Sequence, residues 1–188
     1  MRNRLIILIA IFSIMSCRQQ QNSENTAQIE IISKNDQSEF QNIIHKKYSH
    51  ISDMEALYGY QPTRGTVIDV YTEEEYRYGF QEVIKENEIL LLYTEIKTND
   101  FYEKEYEILD ALRLTNIKKT QFLSFAYCSK DGKFDGQIAV LVDTINNAHP
   151  ANFEQIVKAW NANESLEKFE EISIEGITCE NSDFSAIQ

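Results

Sequence analysis

Apolar residues in the segment 40–54 have the spacing of a helix. Apolar side chains recur every three or four residues from Phe40 to Met54, which would place them on one face of a helix. Gly59 and Pro62 follow this pattern, and both residue types commonly end a helix. The pattern therefore predicts a helix over residues 39–57.

A second helix is predicted to begin at Thr72. Thr72 and Glu75 have the spacing of a capping box, and acidic residues occupy the first turn, where the helix dipole favours them. This helix would end at Asn87. Its buried stripe would consist of four apolar side chains, namely Tyr76, Phe80, Val83 and Ile84.

Alternating or continuous apolar runs predict strands in much of the remaining chain. The predicted strands cover residues 29–32, 66–71, 88–97, 121–128, 137–143 and 168–177. Two glycines in the segment 131–136 predict a hairpin turn. Residues 106–114 fit either a strand or a helix. Residues 152–156 are predicted as a short helix or turn that leads into a hairpin through 161–166.

These elements together predict an α+β fold. About five to seven strands would form a mainly antiparallel sheet, and about two helices would pack on one face of it. The chain has 188 residues and is 43% hydrophobic, which suffices for one domain with a sizeable core.

The N-terminus has the pattern of a secretory signal. Arg2 and Arg4 precede an apolar stretch of about eleven residues, whereas a membrane-spanning helix needs about 20. The sequence Ile14-Met15-Ser16-Cys17 then resembles the lipobox of bacterial lipoproteins. The resemblance implies cleavage behind Ser16 and a diacylglyceryl group on Cys17. Residues 1–16 would be a signal peptide, 17–38 a lipidated flexible tether, and 39–188 a single acidic domain.

The charge of the chain bears on its location and partners. The formal net charge is −12, and loss of residues 1–16, which hold two basic and no acidic residues, makes it −14. This acidity argues against a nucleic-acid partner. No basic patch for anionic lipid is evident, so the acyl chains would make the attachment to the membrane. The residue after Cys17 is Arg18 and not Asp, which by resemblance to Gram-negative sorting rules favours the outer membrane. We expect the domain to face the periplasm.

A second resemblance concerns the C-terminal third of the chain. Residues 121–182 resemble the corresponding part of small uncharacterised lipoproteins from Bacteroidetes-type bacteria. The resemblance is carried by the 131–136 hairpin and by the segments 156–160, 169–172 and 176–181. It implies no reaction and no catalytic residue.

Two cysteines remain after the predicted lipidation of Cys17. Cys128 and Cys179 are candidates for a disulfide, because the periplasm is oxidising. A bond that closes a loop of about 50 residues would contribute roughly 4 kcal/mol to stability in the chain-entropy model. Two separate buried thiols are the alternative.

The sequence gives only weak signals for a metal site, a catalytic site or a further modification. His45 and His50 lie five residues apart, a spacing that does not bring two metal ligands together on a helix. The chain has no nucleophile elbow or phosphate-binding loop, and no pair among its many carboxylates is distinguished. Asp143-Thr144-Ile145 resembles an O-glycosylation acceptor triplet of secreted Bacteroidetes proteins, which makes Thr144 a candidate for modification. No catalytic residue, metal site or cofactor is predicted.

The function predicted from these observations is non-enzymatic binding by a cell-envelope lipoprotein. Its partner would be an envelope protein or a small ligand. A group of tyrosines between residues 58 and 78 could supply binding anchors or form the rim of the core. The alternatives are a periplasmic immunity or inhibitor protein with an acidic surface, a hydrolase that uses two carboxylates, and a structural envelope protein.

Overall fold

The computed structural model describes residues 28–32, 40–68, 77–98, 103–144, 151–153 and 155–181. The lipobox, the first part of the predicted tether, the Thr72 capping box and Ile145 lie outside these residues. Among the helices of the described residues, none is long and apolar enough to cross a membrane.

The described backbone is almost entirely strand. Its strands are β1 (Gln28–Ile32), β2 (Lys47–Tyr48), β3 (Gln61–Val67), β4 (Tyr78–Lys85), β5 (Glu88–Thr98), β6 (Lys104–Thr115), β7 (Gln121–Phe125), β8 (Cys128–Lys130), β9 (Lys133–Phe134), β10 (Ile138–Asp143), β11 (Asn152–Phe153), β12 (Ile156–Asn163), β13 (Lys168–Ile172) and β14 (Ile177–Glu180). Its helices are single 3₁₀ turns at Gln41–Ile43, Ile51–Asp53 and Glu55–Leu57.

Three antiparallel sheets stack on one another. The large sheet has the strand order β1-β6-β5-β4-β3, and β2 also pairs with β6. The middle sheet has the order β13-β12-β10-β7, and the small sheet has the order β11-β14-β8-β9. One buried cluster joins the large sheet to the middle sheet, and another joins the middle sheet to the small sheet. Residues 40–60, which we name the cap segment, pack on the outer face of the large sheet.

The middle sheet is buried on both faces. In β10, Ala139 and Leu141 pack towards the large sheet, whereas Val140 and Val142 pack towards the small sheet. A strand that alternates between two cores must be apolar throughout, which explains its uninterrupted run of apolar residues.

The predicted α+β class is wrong, and so is the helix predicted over residues 39–57. The apolar side chains of the predicted stripe from Phe40 to Met54 are buried, but they face the large sheet from 3₁₀ turns and extended backbone. The N–H of His45 donates to the carbonyl of Ile108 (2.7 Å), and the N–H of Ile108 donates to the carbonyl of Lys46 (3.0 Å). These bonds to β6 take the place of helical ones.

The helix predicted from Thr72 to Asn87 is also wrong where the structure describes it. Residues Tyr78–Lys85 form β4, which pairs with β3 on one side and β5 on the other. Both faces of β4 are buried, with Phe80 towards the middle sheet and Val83 towards the cap segment. Burial on both faces produces apolar residues at three- and four-residue spacing without a helix.

Several strand predictions are confirmed. Those over residues 88–97 and 137–143 correspond to β5 and β10, and the ambiguous residues 106–114 belong to β6. The predicted strand 121–128 is divided into β7 and β8 at Ala126, whose φ is 65°. The short helix or turn predicted over 152–156 is not formed in the residues that the structure describes. Asn152–Phe153 is strand β11, and strand β12 begins at Ile156. Part of the predicted flexible tether, Gln28–Ile32, is strand β1.

Charged side chains of the large sheet cap both edges of the middle sheet. At the β13 edge, the buried carboxylate of Asp110 accepts a hydrogen bond from the N–H of Phe169 (2.7 Å). At the β7 edge, Arg64 Nη2 donates to the carbonyl of Leu123 (2.8 Å) and is paired with the buried Glu82 (2.6 Å). Edge strands with unpaired backbone groups invite intermolecular pairing, and these caps occupy such groups.

Candidate functional site

A cavity of about 290 Å³ opens at one end of the large sheet, beside the β4–β5 hairpin. We name it the hairpin pocket. Three parts of the chain line it: the cap segment with Phe40 and Tyr60, the hairpin residues 85–88, and the end of β6 with residues 113–116. Its volume is at the lower end of the range for small-molecule sites, so it would hold a ligand of about one ring.

The floor of the hairpin pocket is an ion pair. Arg113 Nε lies 3.0 Å from Glu88 Oε1, and Nη2 lies 2.9 Å from Oε2, which is the bidentate arrangement of a strong charge-assisted pair. The hydroxyl of Tyr60 also donates to Glu88. Burial raises the pKa of Glu88, but the hydrogen bonds from Arg113 and Tyr60 outweigh it and lower the pKa below its usual 4.5. Glu88 is therefore a fixed carboxylate at neutral pH.

Aromatic rings of the cap segment hold the two cations of the pocket. The guanidinium of Arg113 lies 4.8 Å from the centre of the Phe40 ring, and Lys85 Nζ lies 5.5 Å from the centre of the Tyr60 ring. Phe40 and Tyr60 pack edge to face, with centroids 6.1 Å apart. These cation–π contacts make the pocket a joint product of the cap segment and the sheet.

The rim of the pocket is polar and conformationally unusual. Glu86 and Asn116 have φ values of 53° and 55°, in the left-handed region that asparagine tolerates better than most residues. Lys85 Nζ donates to the carbonyl of Tyr58 (3.3 Å), so the Tyr58 backbone lies next to a residue that lines the pocket. Tyr58 is 86% exposed, the largest value among the exposed large hydrophobic residues of the described chain.

The pocket is suited to holding a ligand. Its formal charges cancel, because Lys85 and Arg113 are balanced by Glu86 and Glu88. The described residues that line it include no serine, cysteine or histidine. The Tyr60 hydroxyl donates to Glu88, but this carboxyl has a lowered pKa rather than the raised one that a general acid needs. The arrangement can orient a polar molecule through fixed charges and side-chain amides.

A second cavity of about 290 Å³ lies on the outer face of the large sheet. Gly65 and Gly79 line it on the β3–β4 side, and Ile96 and Tyr106 form part of the opposite side. The hydroxyl of Thr94 in its lining already donates to the carbonyl of Gly79 (3.2 Å). Fewer polar groups converge in this cavity than in the hairpin pocket, so the hairpin pocket is the stronger candidate site.

Two carboxylates, Glu95 and Glu107, lie next to each other on the large sheet and are the kind of pair that a hydrolase could use. Glu95 and Glu107 are register partners on β5 and β6, and Lys97 Nζ lies 2.7 Å from Glu95 and 3.8 Å from Glu107. Burial raises the pKa of Glu95, but hydrogen bonds from Lys97 and Arg77 outweigh it and lower the pKa. Glu95 is thus held as a carboxylate, which is unsuitable for donating a proton.

The two cysteines left by the predicted lipidation lie together, away from the hairpin pocket. Cys128 and Cys179 are register partners on β8 and β14 and are joined by a disulfide, with their Cα atoms 4.0 Å apart. Both are fully buried between the small and middle sheets. Cys17 lies outside the described residues.

The other residues considered from the sequence are dispersed. The hydroxyl of Thr144 donates to the carbonyl of Thr120 (3.0 Å), and its glycosylation stays a prediction. His45 Nδ1 lies 3.4 Å from Glu107 on the large sheet, and His50 begins a 3₁₀ turn of the cap segment. Within the described ranges, no group of three histidine, cysteine or acidic residues is placed to hold a metal ion.

Sequence reasoning missed most of the hairpin pocket. It noted Tyr58 and Tyr60 as members of a tyrosine group, but Lys85, Glu88 and Arg113 belong to no motif. Arg113 is 25 residues from Glu88 in the chain, and the β5–β6 pairing brings them together. The one local signal is the Glu86-Asn87 pair between two apolar runs, which is typical of a turn.

Over the described residues, the fold is all-β, with three stacked antiparallel sheets and a polar, charge-balanced pocket at one end. Comparison of the chain with protein-family models, with curated proteins and with solved structures found no match.

Proposed function

We propose that the protein is a lipoprotein of the bacterial outer membrane that faces the periplasm and binds a small polar ligand in the hairpin pocket without transforming it. The observation that carries the binding role is the pocket floor. The Glu88–Arg113 pair is fixed by aromatic rings and by Tyr60, so its charges are arranged before any ligand arrives. Such preorganisation reduces the cost of ordering on binding.

The proposed anchor would keep this pocket close to the membrane. Ten residues separate Cys17 from the first residue of β1, and a fully extended segment of that length spans at most about 40 Å. Gln28 pairs with Thr115, and Thr115 lines the hairpin pocket. The chain would thus arrive from the membrane at the same end of the large sheet as the pocket.

The anchor is tested by Cys17→Ala and detergent fractionation of whole cells. The unchanged chain should partition into the detergent phase, and the variant should lose both processing and membrane retention. Equal membrane retention and processing of the two chains would contradict lipidation at Cys17.

Occupancy of the pocket is tested by amine footprinting of Lys85 in isolated envelopes and in purified protein. A ligand in the pocket should shield Lys85, which lines it, so labelling should be lower in envelopes. Lys118 is exposed just beyond β6 and controls for shielding by the membrane, whereas Lys133 on the small sheet controls for overall reactivity. If Lys85 and Lys118 change by the same factor, the pocket is empty in the envelope and the binding proposal fails.

A further inference from the structure

We infer that the ligand of the hairpin pocket is a neutral saccharide unit, held by the amides of Asn87 and Asn116 and covered on one face by Tyr58. This inference deepens the proposed function and rests on it, because it names the chemistry of the ligand for the same site. Three separate features support it: the charge balance of the pocket, its unused amides and the exposed tyrosine whose backbone contacts Lys85.

The charge balance favours an uncharged ligand. Both atoms of the Glu88 carboxylate are engaged by Arg113, and Lys85 already donates to the Tyr58 carbonyl. An anion would have to compete with Glu88 for Arg113, and a cation would have to compete with Arg113 for Glu88. A neutral ligand can bind at the rim without separating the pair.

The unused amides favour a ligand rich in hydroxyl groups. Asn87 and Asn116 both line the pocket, and both are exposed. Within the described ranges, neither side-chain amide makes a hydrogen bond. An amide offers two donors and an acceptor, which matches hydroxyl groups that both donate and accept. Adjacent hydroxyl groups on a sugar ring can therefore use both atoms of one amide.

The exposed tyrosine favours a ligand with an apolar face. Tyr58 precedes Gly59, whose φ of 88° lets the chain turn at this point. Tyr58 is 86% exposed, whereas Phe40 and Tyr60, which line the pocket, are buried. The negative face of an aromatic ring attracts the C–H groups that cover one face of a pyranose. A single ring would fill the cavity of about 290 Å³, and further units of a glycan would extend into solvent.

The test is a binding titration on the mature full-length chain in micelles of a detergent without a sugar head group. Isothermal titration calorimetry would compare a panel of neutral hexoses and N-acetylhexosamines with a hexuronic acid and with inorganic phosphate. At least one neutral saccharide should bind, and the two charged probes should not.

Two pocket variants and one control locate the binding. Tyr58→Ala should weaken saccharide binding about fivefold or more, because the stacked ring is lost. Asn116→Gly removes the amide but permits the left-handed backbone, and it should weaken binding by a similar factor. Tyr127→Ala removes a half-exposed ring on the far side of the molecule, next to β8, and should leave binding unchanged. Circular dichroism on each variant would verify the fold.

Either of two results would overturn the saccharide assignment. One is the absence of binding by every neutral saccharide in the panel. The other is saccharide binding that neither Tyr58→Ala nor Asn116→Gly weakens. The Lys85 footprint separates this failure from failure of the proposed function, because shielding of Lys85 in envelopes without saccharide binding leaves the pocket occupied by another class of ligand.

Discussion

Replacement of Asp110 by alanine should destabilise the contact between the large and middle sheets. Asp110 is 1% exposed, and its two carboxylate oxygens accept hydrogen bonds from the N–H of Phe169 (2.7 Å) and of Ala111 (2.9 Å). The first of these bonds joins β6 to the edge of β13. Alanine has no acceptor, so both N–H groups would lose this partner inside the protein.

The expected loss of stability is about 3 kcal/mol. A buried N–H that loses its acceptor costs about 1–3 kcal/mol, and two such groups are affected. Part of the loss is offset, because the variant no longer buries a carboxylate. For a chain of this size, a loss of about 3 kcal/mol corresponds to a fall in Tm of roughly 6–12 °C.

Urea unfolding followed by circular dichroism, with the disulfide intact, would measure the effect. Asp143→Ala is the matched control, because Asp143 is half-buried and accepts a bond only from the side chain of Gln121 (3.2 Å) among the described contacts. Asp110→Asn retains one acceptor and should have an intermediate stability. If Asp110→Ala loses no more stability than Asp143→Ala, the edge-cap explanation is wrong.

Three further predictions concern the ion pair, the disulfide and a glycine. The pKa of Glu88 is lowered in the folded protein, so Glu88 contributes stability above its ordinary pKa of 4.5, and this stability is lost as the pH falls through the folded pKa. Glu88→Gln should therefore be less stable than the unchanged chain at pH 7. Urea titrations at a series of pH values should show that this difference in stability shrinks below pH 4.5. The double variant Cys128→Ser with Cys179→Ser opens a link across 51 residues and should lose roughly 4 kcal/mol in urea unfolding; a loss below about 1 kcal/mol would contradict the chain-entropy estimate. Gly79→Ala would place a Cβ 2.8 Å from the carbonyl oxygen of Thr66 and should lower stability by about 1–3 kcal/mol, and an unchanged thermal midpoint would show that β3 moves aside freely.

Local sequence patterns were sufficient for some strands and misleading for others. The runs at 88–97 and 137–143 are apolar over a strand length and are bounded by turn residues, so their conformation could be predicted from neighbours alone. The segments 40–57 and 78–84 have helical spacing of apolar residues, yet their burial comes from packing against other sheet elements. Periodicity reports which side chains are buried, and it cannot by itself distinguish a helix face from a strand with two buried faces.

The sequence by itself determined the candidate lipid attachment at Cys17, the acidity of the domain and the pair of cysteines available for a bond. Only the tertiary structure decided that Cys128 and Cys179 meet, because the pairing of β8 with β14 brings together residues 51 positions apart. The hairpin pocket likewise depends on strand pairing, which places Arg113 beside Glu88 and under the ring of Phe40. Its residues belong to three separate segments, and contacts between distant segments leave no local pattern in the chain.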